Sequence, residues 1–375
     1  KEAIGKRNAF VCGWGMILAY WSLIPLNATA LALISRYLFP GIVQQGLLYQ
    51  IAGWDVYAGE VILASAFIII MAIVNIRGIK QAAWLQTAIA LTLVGCILVV
   101  TFLVMGSADW ANLDPGFPDG RRWWKGVFSI VAMAPWAFIG FDCIPQSAEE
   151  YNFSHKKSTG IMISAILVAA ILYIAVCAVT AVGLEPWQQL LAERHNWPTG
   201  HVVRNTLGIT GLSVLGIAMF CAVVSGMNAF YISTSRLMYA MAIEGSLPKW
   251  FSHISPKYGT PKNAIIFIMC ASLFAPWFGR EILLWIVDMT SVGAAIVFAY
   301  TTASAAIISR KNGDKVQMWI GWFGCLCSLF FLSLLIIPGM PGYLTFQSRV
   351  VLLVWIAIGV LFYLNIRKSY VKGQN

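Results

Sequence analysis

Residues 134–151 read APWAFIGFDCIPQSAEEY and follow an apolar run that begins near residue 127. An apolar run of this length ordinarily forms one continuous helix, but this one contains Pro135, Gly140 and Pro145. Proline removes a backbone hydrogen-bond donor, and glycine weakens the helix around it. Asp142 lies between the last two of these residues. The stretch therefore predicts an interrupted helix that places a carboxylate at its interruption.

The composition of the whole chain indicates that this helix lies in a membrane. Of the 375 residues, 59% are hydrophobic and 11% are charged, whereas soluble domains carry about 25% charged residues. Apolar runs of about 18 residues or more recur along the chain, and each is long enough to cross about 30 Å of hydrocarbon. Alternating strands of about ten residues, which would indicate a membrane β-barrel, are not seen. We expect an all-α, polytopic membrane helix bundle.

The apolar runs predict ten membrane spans with mostly short connections between them. They cover residues 9–36, 57–77, 82–106, 125–148, 159–184, 208–240, 263–279, 281–309, 316–338 and 348–366. No proline-rich or low-complexity segment divides the chain, so residues 1–375 are expected to form a single transmembrane domain.

The basic residues predict the orientation of these spans. With the N-terminus inside, 17 of the 25 lysines and arginines fall on the inner side and 8 on the outer side. The positive-inside rule then places both termini in the cytoplasm of a multi-pass protein of the cell membrane. Because the charges lie at span ends, the net charge of +10 does not indicate a nucleic-acid partner. Tryptophans gather near the outer ends of the predicted spans: Trp54, Trp110, Trp123, Trp124, Trp187 and Trp197.

The cysteines and histidines show no pattern of a metal site or an enzyme. All eight cysteines fall in apolar spans, where they are interpreted as small packing residues, and all four histidines fall in connections. No metal-ligand spacing is present. A membrane enzyme would need a catalytic constellation within its spans, which the sequence does not show, so no cofactor is expected beyond a coupling ion.

An interrupted helix with a buried acid is typical of secondary transporters. In such proteins the unwound carbonyl oxygens bind cations or ammonium groups near the bilayer midplane. Asp142 would cost at least about 2.5–3.5 kcal/mol at a helix centre, which indicates a function. The alternative is a proline kink with a carboxylate that reaches the inner interface near Lys156.

Three motifs resemble the amino acid–polyamine–organocation (APC) permeases. WAFIGFDCIPQSAEE at 136–150, followed by NFSHKKSTGIMIS at 152–164, resembles their sixth transmembrane helix and the loop after it. SRLMYAMAIEGSLPKWFSHISPKYGTPKNA at 235–264 resembles the loop after the eighth helix, and NIRGIKQAAWLQ at 75–86 the junction of the fourth and fifth. The FIGFDCI segment looks most like the cationic amino acid transporter branch.

The resemblance implies the five-plus-five inverted-repeat (LeuT-like) fold with two further helices. The ten spans then correspond to the family's helices 3 to 12, ten of twelve, and the first two are missing. The glycine-rich stretch that holds the substrate carboxylate belongs to that missing part. We therefore expect this chain to carry about half of a binding site.

The resemblance also implies roles for individual residues around the interruption. Trp136 would close over the substrate, Gly140 would mark the unwound centre, and Asp142 would serve substrate binding, gating or proton transfer. Carbonyl groups for a substrate ammonium would come from Ala137, Phe138 and Ile139. For Trp136 the alternative is ordinary or lipid-facing packing, and for Asp142 a structural pair with a nearby helix.

Four further residues are assigned more remotely. Tyr20 and Phe230 match substrate-facing positions, although aromatic packing is common in helix bundles. Glu150 matches a cytoplasmic gate residue. Asp288 is a second acid within a span and is interpreted as a gating or coupling residue, or as a cap at an outer helix end.

Together these residues predict an amino acid permease that works by alternating access, possibly on cationic amino acids. The alternatives are a polyamine or amine permease and a non-transporting sensor on the same fold. The stretch TAIALTLVGCILVV lacks the interior lysine of many proton-coupled relatives, so coupling to H⁺ or Na⁺, exchange and uniport all stay open. The expected partners are a small amino acid substrate and the lipid bilayer, and the oligomeric state is not determined.

Overall fold

The computed structural model describes residues 2–78, 82–114, 116–117, 122–146, 154–183, 186–193 and 197–372. Over these residues the chain is built almost entirely of helices, with one small hairpin. In chain order the elements are α1 (Gly5–Trp21), α2 (Leu23–Leu38), α3 (Pro40–Val43), β1 (Leu47–Ile51), β2 (Trp54–Tyr57), α4 (Ala58–Arg77), α5 (Ala82–Met105), α6 (Trp123–Phe138), α7 (Cys143–Gln146), α8 (His155–Ala181), α9 (Trp187–Ala192), α10 (Pro198–Ile243), α11 (Lys262–Ser272), α12 (Glu281–Lys311), α13 (Lys315–Ile336) and α14 (Phe346–Lys372). Short 3₁₀ turns lie at Trp110–Leu113, Lys249–Ser252 and Ala275–Phe278.

Eight helical segments within the described residues are long and apolar enough to cross a membrane. They are Gly5–Leu38, Ala58–Arg77, Gln86–Met105, Lys156–Ala181, Pro198–Ile243, Glu281–Lys311, Lys315–Ile336 and Phe346–Leu364. The other two predicted spans are also helical but interrupted. One is α6 followed by α7, and the other is α11 followed by the 3₁₀ turn at Ala275–Phe278. The predicted helix bundle is thus confirmed, with two spans that are not continuous.

Two of the long segments depart from a regular helix at positions that the sequence explains. Between α1 and α2, Ser22 keeps helical angles of φ −60° and ψ −25°, but one hydrogen bond is lost because Pro25 has no N–H to give to the carbonyl group four residues earlier. Within α10, Gly208 has φ 66° and ψ −159°, a conformation that interrupts the helix and that glycine adopts at low cost. The span predicted to start at residue 208 therefore begins at a real bend.

A hairpin between α3 and α4 departs from the expected all-helical fold. Strands β1 and β2 pair antiparallel, with Gln50 opposite Asp55 and Ile51 opposite Trp54. Arg36 at the end of α2 forms a buried ion pair with Glu60 in α4, and its guanidinium also donates to the Asp55 carbonyl at 2.7 Å. This arginine therefore ties two helices and the hairpin together.

The protein core surrounds α1 and α2, which lie inside the bundle. In the most apolar part of this pair 78% of the residues are buried, compared with none in the corresponding part of α8. Tyr20, Ile24, Ile68 and Met227 are fully buried and belong to one cluster that also draws on α11 and α12. The α1 helix, which carries Tyr20, is therefore the central element around which the other helices pack.

Candidate functional site

The interruption predicted at residues 134–151 lies between α6 and α7. Helix α6 ends at Phe138, and Ile139 is extended with φ −63° and ψ 139°. Gly140 has φ 126°, a region that residues with a Cβ atom rarely adopt. Helix α7 begins three residues later, at Cys143. Residues 139–142 thus leave the helix because the glycine permits a backbone conformation that a helix cannot contain.

Asp142 closes this interruption with its own side chain. Its Oδ1 accepts a hydrogen bond from the backbone N–H of Gly140 at 2.8 Å. Its Oδ2 accepts a hydrogen bond from the hydroxyl group of Tyr20 in α1 at 2.8 Å. Tyr20 is fully buried. The carboxylate therefore joins the unwound segment to the central helix of the bundle, through two residues that lie 122 positions apart.

Phe230 of α10 covers the same place. Its ring centroid lies 6.0 Å from that of Tyr20, and its Cζ would lie 3.7 Å from a Cβ atom added to Gly140. One turn along α10, Ser233 interacts with the thiol of Cys143 at the start of α7. The structure thus brings together Tyr20, Gly140, Asp142 and Phe230, four residues that the sequence predicts to serve the substrate site.

The carbonyl groups at the end of α6 differ in their hydrogen bonding. The Ala137 oxygen accepts a hydrogen bond from the hydroxyl group of Tyr173 in α8 at 2.5 Å. The oxygens of Phe138 and Ile139 accept none from the described part of the chain. Two of the three carbonyl groups predicted to bind an ammonium group therefore have no partner among the described residues, and the third is partly occupied.

The indole ring of Trp136 packs against the protein core. The side chain is partly buried and contacts the cluster around α1. Its Nε1 atom is inaccessible to solvent and has no hydrogen-bond partner among the described residues. A buried indole N–H usually finds a hydrogen-bond partner, and the Nε1 atom of Trp355 in the core is likewise without one among the described residues.

The interrupted helix and its buried carboxylate belong to a chain whose family is known. A family model described as "Amino acid permease" matches residues 1–362, which is nearly the whole chain. The chain belongs to the amino acid permease family. Its members are membrane transporters and not enzymes, and the permease is an integral, multi-pass membrane protein.

Individual relatives of the permease are distant but match along most of its length. It is 27% identical to a methylthioribose transporter of Bacillus subtilis, over 96% of this chain and 76% of that protein. It is 25% identical to the branched-chain amino acid permease BcaP of the same species, over 98% of this chain and 78% of that protein. The human cationic amino acid transporter 4 is 25% identical over 83% of this chain and 49% of that protein.

Asp288, a further predicted gating residue of the permease, contacts a different part of the bundle. Asp288 in α12 accepts a hydrogen bond from the Ser348 hydroxyl at 2.6 Å and another from the backbone of Thr345. These residues begin α14, so the contacts of Asp288 are those of a cap on that helix. Glu150 lies outside the described residues.

Several side chains at the site were not assigned from the sequence. Tyr173 contacts the Ala137 carbonyl, Ser233 contacts Cys143, and Phe141 packs on Phe298 of α12 at 5.9 Å between ring centroids. Each contact joins helices that are far apart along the chain. No local signal identifies them, because the rotation of each helix depends on its packing against its neighbours.

Proposed function

We propose that this permease moves an amino acid across the cell membrane by alternating access, as a secondary transporter with both termini in the cytoplasm. The observation that carries the proposal is the interrupted span between α6 and α7. It presents the free carbonyl groups of Phe138 and Ile139 beside the buried Tyr20–Asp142 pair. Such backbone is tolerated at membrane depth only where protein or a water-filled cavity surrounds it.

The free carbonyl groups are suited to a substrate ammonium. The last carbonyl groups of a helix have no partner within the helix and carry the negative end of its dipole. The Phe138 carbonyl is of this kind, since α6 ends at Phe138, and the Ile139 carbonyl follows it in the extended segment. The Trp136 ring would cover the bound ammonium, and its indole N–H, which can only donate, would be satisfied by an acceptor such as the substrate carboxylate.

The class of substrate side chain follows from what Asp142 already does. Both of its oxygens accept hydrogen bonds from inside the protein, and the aromatic ring of Phe230 packs on its partner Tyr20. We therefore propose an amino acid with a neutral, apolar side chain. A cationic side chain is the second candidate, because each carboxylate oxygen keeps a further lone pair that could accept from it.

The energy source is proposed to be a cation gradient, of protons or sodium ions. A proton would require that Asp142 exchanges its hydrogen bond with Tyr20 for a proton during the cycle. A sodium ion would instead need oxygen ligands. Uptake driven separately by an imposed proton or sodium gradient distinguishes the two.

The test is uptake by the full-length protein in proteoliposomes. Labelled leucine, lysine, putrescine and methylthioribose would be compared, with and without each ion gradient. We expect saturable uptake of leucine, and we expect Asp142→Asn to lower uptake of every transported substrate alike. Loss confined to lysine would instead assign the carboxylate to a cationic side chain.

Two results would contradict the proposal. Transport of putrescine or methylthioribose without any amino acid would contradict the substrate class. Saturable binding of an amino acid with no uptake under any gradient would identify a sensor. A folded protein, shown by a single symmetric peak in size-exclusion chromatography, is the control for each variant.

A further inference from the structure

An apolar groove of about 380 Å³ lies on the surface of the bundle between α1, α12 and α14. Arg7, near the start of α1, is the one charged side chain among the described residues that line it. Arg7 is exposed and makes no ion pair or hydrogen bond with the described part of the protein. The groove therefore joins a long apolar surface to a cation that has no partner among the described residues.

Three glycines on three helices form the floor of this groove: Gly15, Gly293 and Gly359. A Cβ atom on Gly293 would lie 2.8 Å from the Gly15 carbonyl oxygen, so α1 and α12 cross with their backbones in contact. A Cβ atom on Gly359 would lie 2.5 Å from the Trp14 ring, so this indole lies directly on α14. The missing side chains thus let α1, α12 and the Trp14 ring on α14 pack closely beneath the groove.

Tryptophan side chains also join α1 to α14 beneath the groove. The Trp14 indole N–H donates to the Trp355 carbonyl at 3.1 Å, and the two indole rings stack at 4.4 Å between centroids. Trp21 also stacks on Trp355, with 5.1 Å between the ring centroids. Trp14 and Trp355 thus join α1 to α14 along the groove.

The length of the groove matches the depth of one leaflet. It runs from Arg7 and Tyr363 at one end to Leu18 and Leu352 at the other. Along α1 this is about 16 Å at about 1.5 Å per residue, close to half of a hydrocarbon core of about 30 Å. Arginine and tyrosine are residues that anchor at the level of lipid headgroups, and both lie at the same end.

We propose that the groove binds one acyl chain of an anionic phospholipid, with the lipid phosphate at Arg7. The rim residues Val11, Ile356 and Val360 are 45%, 49% and 50% exposed, so the groove opens towards the surrounding hydrocarbon. An acyl chain lying there contacts apolar walls along its length. A guanidinium and a phosphate form a charge-assisted, bidentate hydrogen bond, which favours an anionic headgroup over a zwitterionic one.

Native mass spectrometry of the detergent-purified full-length protein tests the position of the lipid. Phosphatidylglycerol and phosphatidylcholine with identical acyl chains would be titrated in turn. Val360→Trp places an indole in the mouth of the groove, and Val99→Trp places one on the 51% exposed face of α5, which lies outside the groove. We expect Val360→Trp to lose one bound phosphatidylglycerol per chain and Val99→Trp to keep it.

A second pair of variants tests the headgroup. Arg7→Gln removes the cation at the groove, whereas Lys6→Gln removes an exposed cation that does not line it. We expect Arg7→Gln to weaken phosphatidylglycerol binding roughly tenfold, equivalent to about 1.4 kcal/mol. Binding of phosphatidylcholine should stay within about twofold, and Lys6→Gln should match the parent protein in both titrations.

Three results would overturn the proposal. The first is equal lipid retention by the two tryptophan variants. The second is equal affinity of the parent and Arg7→Gln for phosphatidylglycerol. The third is a groove variant that abolishes a dimer without changing bound lipid, which would show that a second copy of the chain covers the groove. Unchanged size-exclusion profiles verify that the variants are folded.

Discussion

Asp142 shows how hydrogen bonds can stabilise a carboxylate inside a membrane protein. A charge at a helix centre costs at least about 2.5–3.5 kcal/mol. Here one hydrogen bond comes from the Gly140 N–H, which the interruption freed, and another from the Tyr20 hydroxyl. The acid therefore stabilises the unwound backbone, and the unwound backbone in turn stabilises the acid.

Removing the Tyr20 hydroxyl should impair transport more than folding. In Tyr20→Phe the Asp142 Oδ2 atom loses its partner, and leaving a buried polar group unpaired costs about 1–3 kcal/mol. We expect uptake (kcat/KM) to fall about tenfold, because the interruption is no longer held against α1. Initial-rate uptake in proteoliposomes measures this.

Tyr231→Phe is the matched control for that variant. Tyr231 is also fully buried, and its hydroxyl donates to the Ile68 carbonyl at 3.1 Å, away from the interruption. It should lose comparable thermal stability and keep its uptake. Equal loss of uptake in the two variants would show that the Tyr20–Asp142 bond matters only for folding.

Gly140 should tolerate no side chain even though space is available. Its added Cβ would meet nothing closer than 3.7 Å, but its φ of 126° is strained for any L-residue, at a cost of about 1–3 kcal/mol. We expect Gly140→Ala to lower the unfolding temperature and to abolish most uptake.

Gly95→Ala provides the contrast, because Gly95 lies within α5, where its added Cβ would meet nothing within 4 Å. There alanine is expected to be neutral or slightly stabilising, since it favours a helix. Differential scanning fluorimetry in detergent compares the two. A Gly140→Ala protein as stable and active as Gly95→Ala would argue against the strained backbone.

At this scale the sequence identified the residues of the interruption but not their partners. Prolines and a glycine in an apolar run are a local signal, so the break near Gly140 could be predicted. The partner of Asp142 could not be deduced from the chain, because α1 is 122 residues away and its rotation depends on packing. Asp288 illustrates the same limit, since an acid in a span gives no indication that it contacts the start of α14.

Most of the helices were predictable to within a few residues, although α10 begins ten residues before its predicted span. Hydrophobic runs predict the spans because a helix that crosses the membrane must be long and apolar. The bend at Gly208 coincides with a predicted boundary. The hairpin of β1 and β2 was missed. Strands of five and four residues are too short to be seen in an apolar window, and the Arg36–Glu60 pair that joins the helices on either side is a contact between distant residues.

Removing one partner of the buried Arg36–Glu60 pair should lower the stability of the protein more than replacing both partners with apolar residues. Glu60→Gln leaves a buried guanidinium without its counter-charge, so we expect a loss of about 3–5 kcal/mol in stability. The double variant Arg36→Met/Glu60→Leu removes both charges and should recover most of that loss. Thermal unfolding of the two proteins measures the difference, and a double variant as unstable as Glu60→Gln would count against the pair as the cause.

Over the whole molecule, the excess of lysine and arginine on the inner side predicts the membrane orientation, which cysteine labelling can test. All eight cysteines are free, so a cysteine-less background can receive single probes. Gln45→Cys lies beside the hairpin, and Asn312→Cys lies between α12 and α13. In intact cells a membrane-impermeant maleimide should label the first but not the second until the cells are permeabilised. The reverse pattern would invert the orientation.

The central claim, that the interrupted α6–α7 span is the binding element of an amino acid transporter, is tested most directly by counterflow. Proteoliposomes preloaded with unlabelled leucine would be diluted into labelled leucine, with the parent, Trp136→Ala and Trp319→Ala proteins compared. Trp319 is a 68% exposed tryptophan in α13 and controls for the loss of an indole. We predict transient accumulation of label in the parent and Trp319→Ala and none in Trp136→Ala. Equal accumulation in all three would contradict the account.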